Sequence, residues 1–534
     1  MAIRSAWSER LRGGLAKALP SPGIPRERAA GADGLLEPGK RIVGSEERAM
    51  NDRVLRVHER IDKELPRRHA NRVLHGHPSP MFWLEREVPV ADIVRKRNRP
   101  GAGAPRGLIA YVGTPFCLPT TPDRCGFCLF PSEVYRSPDQ LVTYLRYLAK
   151  EAELYRGWFD DTEVAAIYFG GGTTNLYRPQ QYAELLAIVR RLLPRGAPSQ
   201  EVTVEGVAQL FTQAKLEAMQ EAGVTRVSLG VQQLAPELLE ASGRKQNVAH
   251  VLRMLESSHA LGLGTNVDLI FGWPGQTIDH MRRDLDALVQ HRVDHITHYE
   301  LNVAGRTDFA RNRRHQLPSV QQSLEMYRTA KQFLEASGYK QATSYDWERI
   351  DAGEQGKNRY EVLGRTPFER DTNGGITGYD AFGWGFAGLS SWPGSPEEPG
   401  WIFGNCPRIE DYYRSLDEGR SPVERGYHYT NEDLRLYTLF QMLQGLSVDR
   451  ALCRRLFGVD PIDEHAAIWQ ALCEREWTVV TDDRIAVVGD GGFHVPMIQS
   501  LFAAGRLEEM RRERRGRRDE EQAVLEPAVT ELAG

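Results

Sequence analysis

From residue 108 to residue 301 short β-branched or apolar runs alternate with longer stretches of helical periodicity, the pattern of repeated βα units around a parallel sheet. Strands are expected at 108–113, 164–170, 202–206, 224–231, 265–271 and 295–301. The helix after the first strand is the best marked. Ser137 reads as its N-cap, Pro138 as its first residue and Gln140 as the second half of a capping box; Leu141, Tyr144, Leu145 and Leu148 fall on one face, and Gly157 stands where it can end. Six such units predict a partial (βα)6 parallel barrel, whose reactive residues gather where the strands end.

What stands at those ends carries chemistry. Cys117, Cys125 and Cys128 follow the first strand within twelve residues. Three converging thiolates without a fourth protein ligand suit an iron-sulfur cluster with one iron left open. Zinc is the weaker alternative, since it wants four ligands and no His occurs from residue 79 through 249. The six cysteines also form no evenly spaced disulfide framework, and Cys406, Cys453 and Cys473 read as small core residues.

The second strand runs into Gly170-Gly171-Gly172-Thr173-Thr174, where backbone without a Cβ can approach a ligand. Glu205, Gln232 and Asp268 stand late in the third, fourth and fifth strands. Each alone is as well explained by a helix cap or by pairing with Arg226 or Arg244; three on one rim beside the cysteine loop favour ligand binding.

These segments together resemble the radical S-adenosylmethionine enzymes of the oxygen-independent coproporphyrinogen III oxidase (HemN-like) group. The likeness rests on residues 111–128, Tyr168-Phe-Gly-Gly-Gly-Thr173, 202–205, 222–232, Gly243-Arg244 and 267–276. It implies a radical SAM barrel in which Cys117, Cys125 and Cys128 hold a 4Fe-4S cluster with Tyr111 beside it. It implies S-adenosylmethionine bound through Gly171, Gly172 and Thr173 at the methionine end, Arg244 at the carboxylate, and Glu205, Gln232 and Asp268 at the amine and ribose. A second S-adenosylmethionine is often bound in the family; its site is not assigned. A flavodoxin- or ferredoxin-type electron donor and a small, planar substrate complete the implied partners.

The chain also departs from the family pattern. Seven residues, 118–124, separate the first two cysteines where three are usual, and Cys128 is followed by Leu129-Phe130 without an additional nearby cysteine. The heme-chaperone motif has only a partial counterpart in Lys357-Asn-Arg-Tyr360-Glu361, although His75 and His77 offer imidazoles. By elimination the branch of C-methyltransferases and cyclopropane-forming enzymes, acting on an aromatic, unsaturated or tetrapyrrole substrate, leads ahead of coproporphyrinogen oxidase and heme chaperone.

Five regions are expected: a flexible arm at 1–50 with Ile3, Trp7, Leu11, Leu15 and Leu19 at four-residue spacing, and a helical lead-in at 51–107 whose segment 78–83 is a candidate lid. A radical SAM partial barrel with extension follows at 108–400, a small α+β, winged-helix-like C-terminal domain at 401–504, and a charged tail at 505–534. A net charge of -4 on 534 residues gives no basic field for nucleic acid, no apolar run reaches the ~18 residues of a membrane span, and free thiols suit a reducing cytoplasm.

Overall fold

The computed structural model describes residues 45–69, 76–98, 106–303, 305, 307–371 and 375–531. Six parallel strands lie where the alternation places them: β1 (Gly107–Thr114), β2 (Val164–Gly171), β3 (Gly196–Val207), β4 (Arg226–Gln232), β5 (Gly264–Phe271) and β6 (His295–Glu300). Two short strands, β7 (Tyr339–Gln341) and β8 (Asp346–Arg349), continue the sheet beyond β6, and β9 (Tyr379–Gly385), β10 (Leu389–Gly394), β11 (Pro399–Asn405) and β12 (Val423–His428) extend it beyond β1. The order is β12-β11-β10-β9-β1-β2-β3-β4-β5-β6-β8-β7, an open arc. The fold is α/β with a central parallel sheet.

The glycine-rich segment 378–388 thus becomes β9, a seventh parallel strand with Tyr379 opposite Gly107 and Gly385 opposite Gly113. β3 starts six residues before its expected start because a register shift between Val164 and Ala166 lets Gly196 pair with Val164.

Helix Pro138–Leu154 forms as its sequence dictates. The Gln140 side chain accepts the Ser137 N–H at 3.1 Å, and Leu141, Tyr144, Leu145 and Leu148 are buried against the sheet. Full burial of one such leucine stabilises by about 1.5–3 kcal/mol. Glu151, one turn further, accepts from Tyr412 Oη at 2.6 Å, Asn405 Nδ2 at 2.9 Å and the Gly385 N–H at 3.0 Å, which ties this helix to β9 and β11.

The C-terminal part pairs helices Asn431–Gln444 and Ala466–Glu474 with a small sheet of Ser447–Asp449, Arg484–Val487 and Thr478–Val480, the helix-plus-hairpin pattern read from the sequence. Helix Ser45–Glu64 joins this core: Val54 and Ile61 pack with Phe440, Trp469 and Leu472, and Arg475 reaches Asp62 at 2.7 Å. The helix begins inside the span expected to be a flexible arm; Ile3, Trp7, Leu11, Leu15 and Leu19 lie outside the described residues. The segment 78–83 is not placed as a lid. Trp83 is buried with Leu434 and Tyr437, and Phe82 with Leu436 and Phe440, because their apolar surface has a better partner in the C-terminal helices than in open water.

That junction is held by one buried carboxylate. Asp433 accepts from His77 Nε2 at 2.8 Å, Arg506 Nε at 3.0 Å, Tyr427 Oη at 2.6 Å and Thr430 Oγ1 at 2.6 Å. Hydrogen bonds from these donors outweigh burial and hold it well below the usual carboxylate range. Asp433→Asn is expected to cost about 3–5 kcal/mol, because Arg506 loses its buried counter-charge. In the parent protein this contribution is present above about pH 4 and is lost as the pH falls toward the native-state value, which urea titrations at several pH values read directly.

Candidate active site

The C-terminal ends of the strands build one concave face. Along β1 to β5 most residues are buried, and Tyr111, Tyr168, Glu205, Gln232 and Asp268 are among those that stay half-buried. Register aligns them: Tyr111 stands opposite Tyr168, Glu205 opposite Ser228, and Asp268 opposite Gly230 and Thr297.

The cysteine loop leaves β1 through a short strand, Phe116–Cys117, paired in parallel with Glu133–Val134. Arg124 and Cys125 take left-handed φ values of 51° and 55°, a turn that brings Cys125 back toward Cys117 and Cys128; the Cys125 N–H is held by Thr120 Oγ1 at 2.8 Å. Burial raises the Cys117 thiol and pushes Cys128 up to about 12, and in both the neighbouring sulfurs act in the same direction. Sulfurs this close disfavour each other's charge, an arrangement that a bound cation reverses. Among the described residues no three His, Cys, Asp or Glu side chains could hold a metal ion. In a cluster each thiolate takes a different iron, so the three sulfurs need not converge on one metal ion.

Around the sulfurs stand the other implied residues. Arg244 directs Nη1 toward Cys125 Sγ at 3.9 Å and Nη2 to the Gly230 carbonyl at 2.5 Å, while its buried Nε has no partner. Thr173 Oγ1 lies 3.6 Å from Cys117 Sγ. Gln232 sits at the end of β4 with φ 67°. Gly172 owes its identity to packing: a Cβ there would stand 2.5 Å from the Phe116 carbonyl oxygen. The donors of this turn are spent inside the protein, the Gly172 N–H on the Thr114 carbonyl and the Thr173 N–H on the Phe116 carbonyl, both at 2.7 Å. Because Gly172 touches the strand that carries Cys117, Gly172→Ala is expected to lower the iron bound after reconstitution by more than half, read by iron analysis, with the fold retained by circular dichroism.

Glu205 and Asp268 form an acid pair. Burial first, and then each other's proximity, pushes Glu205 up to about 8, opposed by the Gly171 N–H and Tyr168 hydroxyl. Burial raises Asp268 to about 6, opposed by Asn266 Nδ2 at 2.9 Å, Ser228 Oγ at 3.3 Å and the charge of Arg226. Facing them is an aromatic wall. Tyr111 stacks on Tyr168 at 6.0 Å, and Tyr360, from the short helix Arg359–Gly364 inside the arc, lies 4.9 Å from Tyr168. Tyr168, Tyr360, Ser228 and Asn266 escaped the sequence reading. Polar residues two apart in otherwise buried strands, Arg226-Val-Ser228 and Asn266-Val-Asp268, were the available signal.

The unpartnered Arg244 Nε fits a ligand carboxylate, the acid pair fits an ammonium and hydroxyls, and the three sulfurs fit a polynuclear iron group. A further cavity of about 150 Å³ lies past β5 and β6, lined by Phe271, His298, Glu300, Tyr327, Tyr345 and Phe493, with Arg68 and His69 at its edge.

Residues 113–288 match the radical SAM superfamily model, so this part of the chain is a radical SAM domain. Its relatives include the oxygen-independent coproporphyrinogen III oxidase of Helicobacter pylori strain J99, 27% identical over 364 residues that cover 67% of this chain and 76% of that one. The heme chaperone HemW of Mycobacterium tuberculosis is 36% identical over 218 residues, 40% of this chain and 53% of that one. Coproporphyrinogen III oxidase (HemN) from Escherichia coli shares the fold, with a TM-score of 0.67 and 22% identity over 80% of this chain and 96% of that one. Within the superfamily these similarities are to HemN-like proteins. Among the described residues no helix is long and apolar enough to cross a membrane.

Proposed function

We propose that this protein is a radical SAM enzyme that transfers carbon, as a C-methyltransferase or cyclopropane-forming enzyme, to an aromatic or otherwise unsaturated small molecule. When bound, the cluster supplies one electron and S-adenosylmethionine the reactive adenosyl carbon. Cys117, Cys125 and Cys128 hold the cluster. Arg244 binds the methionine carboxylate, Glu205 and the carbonyls of the glycine turn bind the amine, and Asp268 and Gln232 take the ribose hydroxyls. Tyr111, Tyr168 and Tyr360 keep water from the space between.

The observation that carries the choice of carbon transfer is the cavity past β5 and β6. A substrate that is to be decarboxylated brings a carboxylate, and a buried carboxylate needs a cation. The cations among the described lining residues are already engaged: Arg68 with Glu300 at 2.7 Å and with the Pro318 carbonyl, His69 with Glu64. Burial pushes His298 down to about 3, so that ring is neutral. The rest of the wall is largely aromatic, suited to a planar unsaturated substrate. Heme capture finds little support, since His77 is buried on Asp433 and His75 lies outside the described residues.

Anaerobic reconstitution with S-adenosylmethionine and a reductant tests the reading. Methionine and 5'-deoxyadenosine are expected, with S-adenosylhomocysteine appearing as well where the substrate is methylated. Decarboxylation of coproporphyrinogen III would overturn carbon transfer, and tight heme binding with negligible turnover would overturn the enzyme.

The acid pair adds a pH dependence. Below about pH 8 Glu205 must give up a proton before it can hold an ammonium, so ligand affinity is expected to rise roughly tenfold per pH unit up to that point. Above it the ligand's own amine, near 8, begins to discharge. Calorimetric titration with S-adenosylhomocysteine from pH 6 to 9 should show this optimum in the parent protein and a flattened profile in Glu205→Gln.

A further inference from the structure

Asp268 is held from behind by two neighbours. Asn266 lies two residues before it on β5, therefore on the same face, and its Nδ2 donates to Asp268 Oδ1 at 2.9 Å and to Ser228 Oγ at 2.8 Å. Ser228 Oγ in turn lies 3.3 Å from Asp268 Oδ2. Each carboxylate oxygen is thus engaged once within the sheet and keeps acceptor capacity for a ligand hydroxyl.

This hold depends on which way the Asn266 amide points. Turned over, it would set its own oxygen against the carboxylate. The groups that fix it stand on β6, where His295 is the register partner of Asn266 and Thr297 that of Asp268. Asn266 Oδ1 accepts from the Thr297 hydroxyl at 3.2 Å and from His295 Nδ1. An amide oxygen only accepts, so the ring nitrogen facing it carries a hydrogen. A hydroxyl can turn to accept as well as donate, whereas a ring N–H only donates. On its far side His295 Nε2 lies 3.4 Å from Asp346 Oδ1, and Asp346 Oδ2 accepts from Thr343 Oγ1 at 2.7 Å. Asn266 and His295 are 3% and 1% exposed, so water does not compete for these bonds. Apolar side chains at 266, 295 and 297 would fill the same space without desolvating polar groups, and stability alone does not call for the relay.

We propose that His295 is a positioning residue for the nucleoside end of the site. By holding the Asn266 carbonyl it keeps the amide N–H on Asp268, and that keeps the free lone pairs of the carboxylate turned toward the ribose hydroxyls. The line of contacts runs from Asp346 on β8 through His295 and Asn266 to Asp268 at the rim. The proposal rests on the assignment of Asp268 to the ribose of S-adenosylmethionine.

The test asks whether the effect of His295 depends on those hydroxyls. Anaerobically reconstituted protein is titrated by calorimetry with S-adenosylhomocysteine and with its analogue lacking both ribose hydroxyls. The parent should bind the analogue on the order of a hundredfold more weakly, since two hydrogen bonds to a charged group are lost. His295→Phe should bind S-adenosylhomocysteine roughly tenfold more weakly than the parent does, and the analogue within about twofold of the parent, with iron content unchanged. His295→Asn, which returns an N–H near the place of Nδ1, should recover most of the loss. A histidine that serves only structure would weaken both ligands by the same factor or neither, and that result overturns the proposal. Should no His295 variant fold, Asn266→Ala, which breaks the line one step nearer Asp268, is compared in the same way. Loss confined to the hydroxyl-bearing ligand supports the relay, and equal loss of both overturns it. A parent that binds the two ligands alike would refute the assignment of Asp268 to the ribose, and the proposal with it.

Discussion

Cys125→Ala is expected to fold normally and to lose its iron. Cys125 sits half-exposed in a loop at φ 55°, held through its backbone N–H, so removing the sulfur leaves the core intact and should change stability by no more than about 1 kcal/mol. The same deletion takes one of three cluster ligands. Iron after reconstitution should drop to near background and S-adenosylmethionine cleavage should become undetectable. Cys117→Ala and Cys128→Ala should behave alike, whereas Cys453→Ala, a change in the buried core of the C-terminal helices, should keep full iron. Equal loss in Cys453→Ala would mean that the effect is on folding.

Arg244→Ala carries the second large effect. Its guanidinium bridges the Gly230 carbonyl and Cys125, and its spare Nε is the feature that fits a ligand carboxylate. Removing one partner of a buried charge pair costs about 2–5 kcal/mol, so S-adenosylhomocysteine should bind about 30- to several-thousand-fold more weakly, with iron content unchanged. Arg244→Lys should recover part of that loss, since an ammonium keeps the charge but not the fork. A variant that binds the ligand as well as the parent would remove Arg244 from the site.

Much of the architecture was legible because strand and helix periods differ and the six βα units repeat them. Boundaries failed where pairing, not composition, decides them: β3 begins at Gly196 because a register shift brings it beside Val164. Segment 78–83 was read as a candidate lid, but its aromatics Phe82 and Trp83 are buried against the C-terminal helices. Their partners, Leu434 and Tyr437, lie some 350 residues away and no local pattern announces them.

The site divided in the same way. Cys117, Cys125, Cys128, Glu205 and Asp268 were visible as polar or sulfur groups at strand ends, and the fold brings them to one face. Tyr360 was not, because its position inside the arc depends on a six-residue helix capped by Asn358, and on Glu201, whose carboxylate accepts the Arg359 N–H at 2.6 Å. Arg226 was read as a pairing partner for the rim acids. Among the described residues it forms no direct hydrogen bond to them.

The central claim is that three thiolates leave one iron of the cluster open to the ligand. Mössbauer spectroscopy of the protein reconstituted with enriched iron, before and after S-adenosylmethionine is added, tests it most directly. One iron site out of the cluster should change its isomer shift while the others keep theirs; a spectrum unaltered by the ligand, or a protein that takes up no cluster iron, would contradict the account.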